Sequence, residues 1–253
     1  MEGHLGTPEA RDMRDDIAPK LLGIRDHKGY NYSDPIGLVA AMATASETPA
    51  DQCAHAQKWL ELAREPSHHP LRPFTLALEY MPQHPHAAPF AGFVMSHAPL
   101  PAGLPRQKDV EDVLTYSSAA ADYYLGASPD CRTNHLGGPL QALAARVVQV
   151  FPEWIENKPN MAEPLAKTLR EFGHVAAVDS GFASTDLRER IAAGFSELVK
   201  KVGQASPAKA HQLIADHHFR HTPLGSPLQE ARKQLVAALP PRPAKQAKPA
   251  DPQ

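Results

Sequence analysis

Residues 139–155 read PLQALAARVVQVFPEWI. Leu140, Leu143, Ala144, Val147, Val150 and Phe151 recur at the i, i+3, i+4, i+7 spacing of one helix face. Val148 widens the stripe, and Arg146 is the only charge before Glu153. A helix with so little polar surface is expected to be mostly buried, and we read it as the central helix of the core. Gly137 and Gly138 permit a sharp turn into it. Pro139 then falls in a first turn, where a missing N–H costs nothing. Pro152 interrupts the hydrogen-bond ladder, and Trp154 and Ile155 supply a second apolar anchor.

Working outward, Asn160 is read as the cap of a helix over 161–172 ended by Gly173, with a short apolar segment at 174–180. Thr185 or Asp186 opens the cleanest amphipathic helix, whose stripe is Leu187, Ile191, Phe195, Leu198, Val199 and Val202. Asp186 and Glu189 stand at capping-box spacing, and Lys200 and Lys201 suit the C-terminal dipole. Two further helices are expected near 207–219 and 227–239. On the N-terminal side, 127–138 (ASPDCRTNHLGG) reads as a compact loop. Residues 108–125 read as a helix with Val110, Val113, Leu114, Ser117, Ala121 and Tyr124 along one side. Cys53, Ala56, Trp59, Leu60 and Ala63 form one face of a helix over 49–65.

Proline is 26 of 253 residues, against about 5% in average usage. Much of it follows a capping residue: Thr7-Pro8, Asp34-Pro35, Thr48-Pro49, Ser206-Pro207 and Ser226-Pro227. In each pair a side-chain oxygen accepts an orphan N–H, while proline presets φ for the first turn. These signals predict a mainly α protein, an irregular multi-helix bundle with no repeat period. The region 66–105 departs from this, with Pro- and His-rich loops around two apolar segments. Phe74, Leu76, Leu78 and Tyr80 alternate as in a strand, so one small β-hairpin near 74–95 is expected as an alternative to helix. The domain reading is a loosely ordered segment at 1–32, one helical domain at 33–239 and a disordered Pro/Ala/Lys tail at 240–253. The only candidate internal boundary is 97–106.

Formal net charge is −2, so nothing draws the whole molecule to nucleic acid or to an anionic membrane. Basic residues cluster only on the tail, at Arg242, Lys245 and Lys248. No apolar run approaches the ~18 residues of a membrane span, and the first residues carry acids and no apolar leader. Two cysteines, Cys53 and Cys131, exclude a disulfide-built fold. A soluble, cytoplasmic protein is expected, with signal-less secretion left open.

The chain has no P-loop, dinucleotide fingerprint, HExxH, GxSxG or CxxC motif, and no cofactor is expected. Three groups carry potential chemistry. Cys131 lies among turn formers, and with His174 and Asp179 it would make nucleophile, base and orienter; a Cys, a His and an Asp can be picked from most chains, however. His217 and His221 stand at i, i+4 and would share a helix face as a zinc-ligand pair, although scattered histidines are more often solvated. The 14 histidines include further pairs at His68-His69, His84/His86 and His211/His218. Tyr116, Ser117, Ser118, Asp122, Tyr123 and Tyr124 could line a pocket or interface, or simply pack. The leading functional expectation is binding to another macromolecule, a protein partner, as a bacterial accessory, secreted-effector or immunity-type module. The alternative is a cysteine-dependent hydrolase or transferase using Cys131, His174 and Asp179.

Overall fold

The computed structural model describes residues 56, 57, 59–61, 63, 70–81, 83, 85, 87–101, 103 and 105–240. The cap pairs at Thr7, Asp34 and Thr48, the 1–32 segment and the tail beyond Pro240 lie outside the described residues. All regular structure among those described is helical. The first described helical residues surround Trp59, which is fully buried, with its ring edge-on to Phe74 at 5.0 Å and to Phe90 at 5.6 Å.

The hairpin expected near 74–95 is instead two helices, α1 (Arg72–Tyr80) and α2 (Ala88–His97). Thr75 and Ala77 are buried along with Phe74, Leu76 and Leu78, so the alternation did not mark an inside and an outside face. A helix packed on most sides can imitate period two, and the Leu, Ala and Glu content then favours helix. Pro73 and Pro89 sit in the first turns, where proline is tolerated.

Helix α3 (Gln107–Gly126) starts where the Asp109 carboxylate accepts the Arg106 N–H at 2.8 Å and both of its guanidinium contacts at 3.1 and 2.7 Å. The following segment is not a loop. The Ser128 hydroxyl accepts the Cys131 N–H at 3.4 Å and opens one turn, Pro129–Cys131. A π-helical stretch, Arg132–Leu136, then runs straight into α4 (Gly137–Asn157). Helix α2 crosses here so closely that a Cβ on Gly92 would stand 2.3 Å from the His135 carbonyl oxygen. Helix α4 continues through Pro152, and its stripe from Leu140 to Ile155 is buried apart from Val150, which is half-buried.

The helix surrounded by the others is α5 (Ala162–Val178), which packs on α3 and α4 and on three helices that follow it: α6 (Thr185–Ala205), α7 (Pro207–Leu213) and α8 (Pro227–Ala238). Helix α5 does not stop at Gly173. A Cβ there would meet the Leu228 side chain at 3.0 Å, so this glycine lets α8 approach and the helix runs on through His174. Ser184, not Thr185 or Asp186, caps α6, accepting the Leu187 N–H at 3.2 Å. Between α7 and α8 lies a single turn, Asp216–Phe219. Buried side chains from Trp59 to Leu235 form one continuous cluster, and α1 packs on α3 and α2 on α4 across the 97–106 connection. No helix among the described residues is long and apolar enough to cross a membrane.

Candidate functional site

Helix α3 turns Val110, Val113, Tyr116, Ser117, Ala120, Ala121 and Tyr124 inward. Its opposite stripe is left polar: Lys108, Glu111, Asp112, Thr115, Ser118 and Asp122, again at helical spacing. Helix α1 rises on one side of this stripe and α5 on the other, so the stripe becomes the floor of a furrow. Its central cleft is about 610 Å³, with Leu78, Glu79, Met81 and Gln83 on the α1 side and Lys167, Arg170 and Glu171 on the α5 side. A hollow of about 220 Å³ adjoins it across Glu79 and Thr115. Another of about 700 Å³ adjoins it across Leu114 and Lys167 and reaches Lys201 and Lys209. At about 1.5 Å per residue, the floor from Lys108 to Asp122 runs about 21 Å.

The charges of the central cleft are unevenly paired. Arg170 Nη2 donates to Glu171 Oε1 at 3.2 Å. Lys167 donates to Glu163 at 2.9 Å, and Lys209 donates to the other oxygen of the same carboxylate at 2.8 Å. The Lys209 and Lys167 hydrogen bonds hold Glu163 below the usual carboxylate range. Glu79 and Asp122 make no ion pair and accept no hydrogen bond among the described residues. Arg170 is 11% exposed, and its Nη1 is buried without an acceptor.

Histidines gather at the α5 end of this region. His174 lies 3.0 Å through Nδ1 from the Thr222 hydroxyl, and burial pushes its pKa down against the pull of Glu171 and Asp122. His218 is pushed down to about 4, by burial first and then by Arg170, His217 and Lys167. The His217 and His218 rings stand 3.9 Å apart.

The residues singled out in the sequence are placed as follows. Cys131 is buried. His174 is engaged by Thr222, whereas Asp179 accepts the Tyr124 hydroxyl and the Gly181 N–H, each at 2.9 Å, and faces Arg132 at 3.9 Å. His174 and Asp179 are five positions apart, about 140° round a helix axis, and serve separate contacts. His217 and His221 do not share a helix face, because the Asp216–Phe219 turn ends between them; both are exposed. Among the described residues, no group of three or more His, Cys, Asp or Glu is placed to hold a metal ion. Tyr116, Tyr123 and Tyr124 are buried, which raises their phenolic pKa values, and only Tyr123 of the three borders the cleft.

The sequence reading missed Glu79, Thr115, Lys167, Arg170 and Glu171. The signal for the floor was present as the polar stripe of α3, which on its own reads as a solvated face. No family model, characterised protein or solved structure matches this chain.

Proposed function

We propose that the protein acts by binding a polypeptide partner along the α3 furrow, in a non-catalytic role of the accessory, effector or immunity type. The observation that carries this reading is the run of three adjoining hollows over one polar helix stripe. A floor of about 21 Å accommodates about six residues of extended chain at about 3.3 Å each. Its lining mixes charged groups with the apolar side chains of Leu78, Met81, Leu114 and Ala119, as transient protein interfaces do. By contrast, the contacts made by His174 and Asp179 give no support to a base and orienter serving Cys131.

The test is photo-cross-linking in the source cells, with benzoylphenylalanine at Thr115 in the furrow or at Gln149, an exposed position of α4. Protease-sensitive adducts at Thr115 and none at Gln149 are expected. Equal cross-linking at both positions, or none at Thr115, would overturn the proposal. Cys131→Ala should leave the Thr115 adducts unchanged.

A further inference from the structure

We infer that residues 216–222 form an acid-released latch: the stretch lies closed beside α5 at neutral pH, and proton uptake by the imidazoles gathered there opens it while the rest of the bundle stays folded. This goes beyond the furrow and does not rest on it. Four histidines meet at one corner, His174 on α5 and His217, His218 and His221 on the stretch that runs past it. His174 Nδ1 lies 3.0 Å from the Thr222 hydroxyl, the His217 and His218 rings stand 3.9 Å apart, and His221 is within electrostatic reach of His174. From α5, Lys167 and Arg170 act on His218, and Glu171 acts on His174; from α3, Asp122 acts on His174. Glu171 already takes Arg170, and Asp216 of the stretch takes Arg232 from α8. Arg220 adds an exposed cation. Each proton taken up therefore adds positive charge where Lys167, Arg170, Arg220 and Arg232 already stand, and like charges oppose it.

The stretch is lightly held and ends on a pivot. Between Ile214 and Leu228 only Phe219 and Thr222 are buried. Phe219 packs on Phe195 of α6, ring centroids 6.0 Å apart. The other ties are polar: Gln229 Nε2 donates to the Phe219 and Thr222 carbonyls, each at 3.1 Å, and Arg232 Nε donates to the Ile214 carbonyl at 3.0 Å. Leu224 and Gly225 beyond it are exposed, and Gly225 has φ +82°, a conformation open to glycine without strain. Segments with so few buried apolar contacts open at low cost, independently of the core. The sign of the proton linkage follows from the closed form. Burial first, then Arg170, His217 and Lys167, push His218 down to about 4, and burial lowers His174 against the pull of Glu171 and Asp122. The open form therefore binds protons more tightly. Closure is fully favoured above about pH 6.5 and is lost as the pH falls toward 4.

The experiment is hydrogen–deuterium exchange of the full chain at about pH 7.5 and about pH 4.5, read by mass spectrometry, with labelling times scaled to the intrinsic exchange rate at each pH. Peptides within 214–226 should show an opening constant about tenfold larger at the lower pH, water screening of the exposed His218 ring holding the rise to that size. Amides of α6 from Ile191 to Val199 should keep their protection. His218→Gln and His174→Gln each remove one proton site, from opposite sides of the contact, and each should cut the rise by about threefold. No rise within 214–226 would overturn the inference. So would a rise shared equally by α6, which is acid unfolding of the whole bundle, or a rise that both variants leave intact.

Discussion

Replacing Gly194 by alanine tests a close side-chain contact in the core of the bundle. Gly194 lies on the buried face of α6, where that helix crosses α4 and α5. An added Cβ would come 2.8 Å from Leu169 Cδ1 and 2.9 and 3.0 Å from two atoms of the Phe151 ring. Leu169 is fully buried and Phe151 is 4% exposed, so neither can yield outward. Overpacking of this kind costs about 1–3 kcal/mol. The better helix propensity of alanine offsets about 1 kcal/mol of it, leaving a net loss of about 0–2 kcal/mol. Gly138 is the control: it is helical, exposed, and a Cβ there meets nothing within 4 Å. Gly138→Ala should therefore stabilise, by about 0.5 kcal/mol. Each variant adds one methyl, and the two should separate by about 1.5 kcal/mol, a factor of about 13 in the folding constant. Urea titration followed by the fluorescence of the buried Trp59 and Trp154 should place Gly194→Ala about 0.75 M below Gly138→Ala, for a denaturant slope of about 2 kcal/mol/M. Equal stability of the two, or a more stable Gly194→Ala, would refute the packing of α6 against Phe151 and Leu169.

Three further outcomes follow. Gly92→Ala should destabilise by about 3 kcal/mol, at least as much as Gly194→Ala, because its Cβ would meet the His135 carbonyl oxygen at 2.3 Å and backbone cannot rotate aside; a midpoint near that of the unsubstituted chain would show that α2 and the π-helical stretch do not touch. His218 and His174 both titrate below the ordinary 6.5 in the folded chain, so the unfolded chain binds protons first as the pH falls. Their contribution is complete above about pH 6.5 and declines toward pH 4, and because His218 is exposed, screening holds its share to about 1 kcal/mol; His218→Asn should flatten the stability profile between pH 7 and pH 4, and an unchanged slope would remove the turn from beside Arg170. Cys131 is 7% exposed, so N-ethylmaleimide should modify it at least about tenfold more slowly in the folded chain than in urea, and equal rates would place it outside the core.

The helices were legible wherever burial was one-sided. The α6 stripe from Leu187 to Val202 is buried as its spacing implies, and so is the α4 stripe from Leu140 to Ile155 apart from half-buried Val150. Legibility failed where a residue type serves a neighbour instead of its own segment. Gly173 reads as a stop because glycine commonly ends helices, yet here it admits Leu228 of α8, a residue 55 positions away. Likewise 127–138 reads as a loop from its Gly, Pro, Ser and Asn content, while Ser128 and Pro129 start a turn that continues through Arg132–Leu136 into α4. At 74–80, Thr75 and Ala77 are buried from directions that only the assembled bundle supplies, which erased the difference between two faces.

The furrow was hidden for the same physical reason. The stripe Lys108, Glu111, Asp112, Thr115, Ser118 and Asp122 is indistinguishable in sequence from the solvated side of any amphipathic helix. What makes it a floor is the height of α1 and α5 on either side, and those walls come from residues some 30 before and 50 after it in the chain. Charge pairing carries the argument further. Counting acids and bases along the sequence gives near balance, at −2, which says only that the whole molecule is not drawn to polyanions. Lys167 and Lys209 share the single carboxylate of Glu163, and Arg170 pairs with Glu171, so which charges cancel around the cleft is set by the fold and not by their order along the chain.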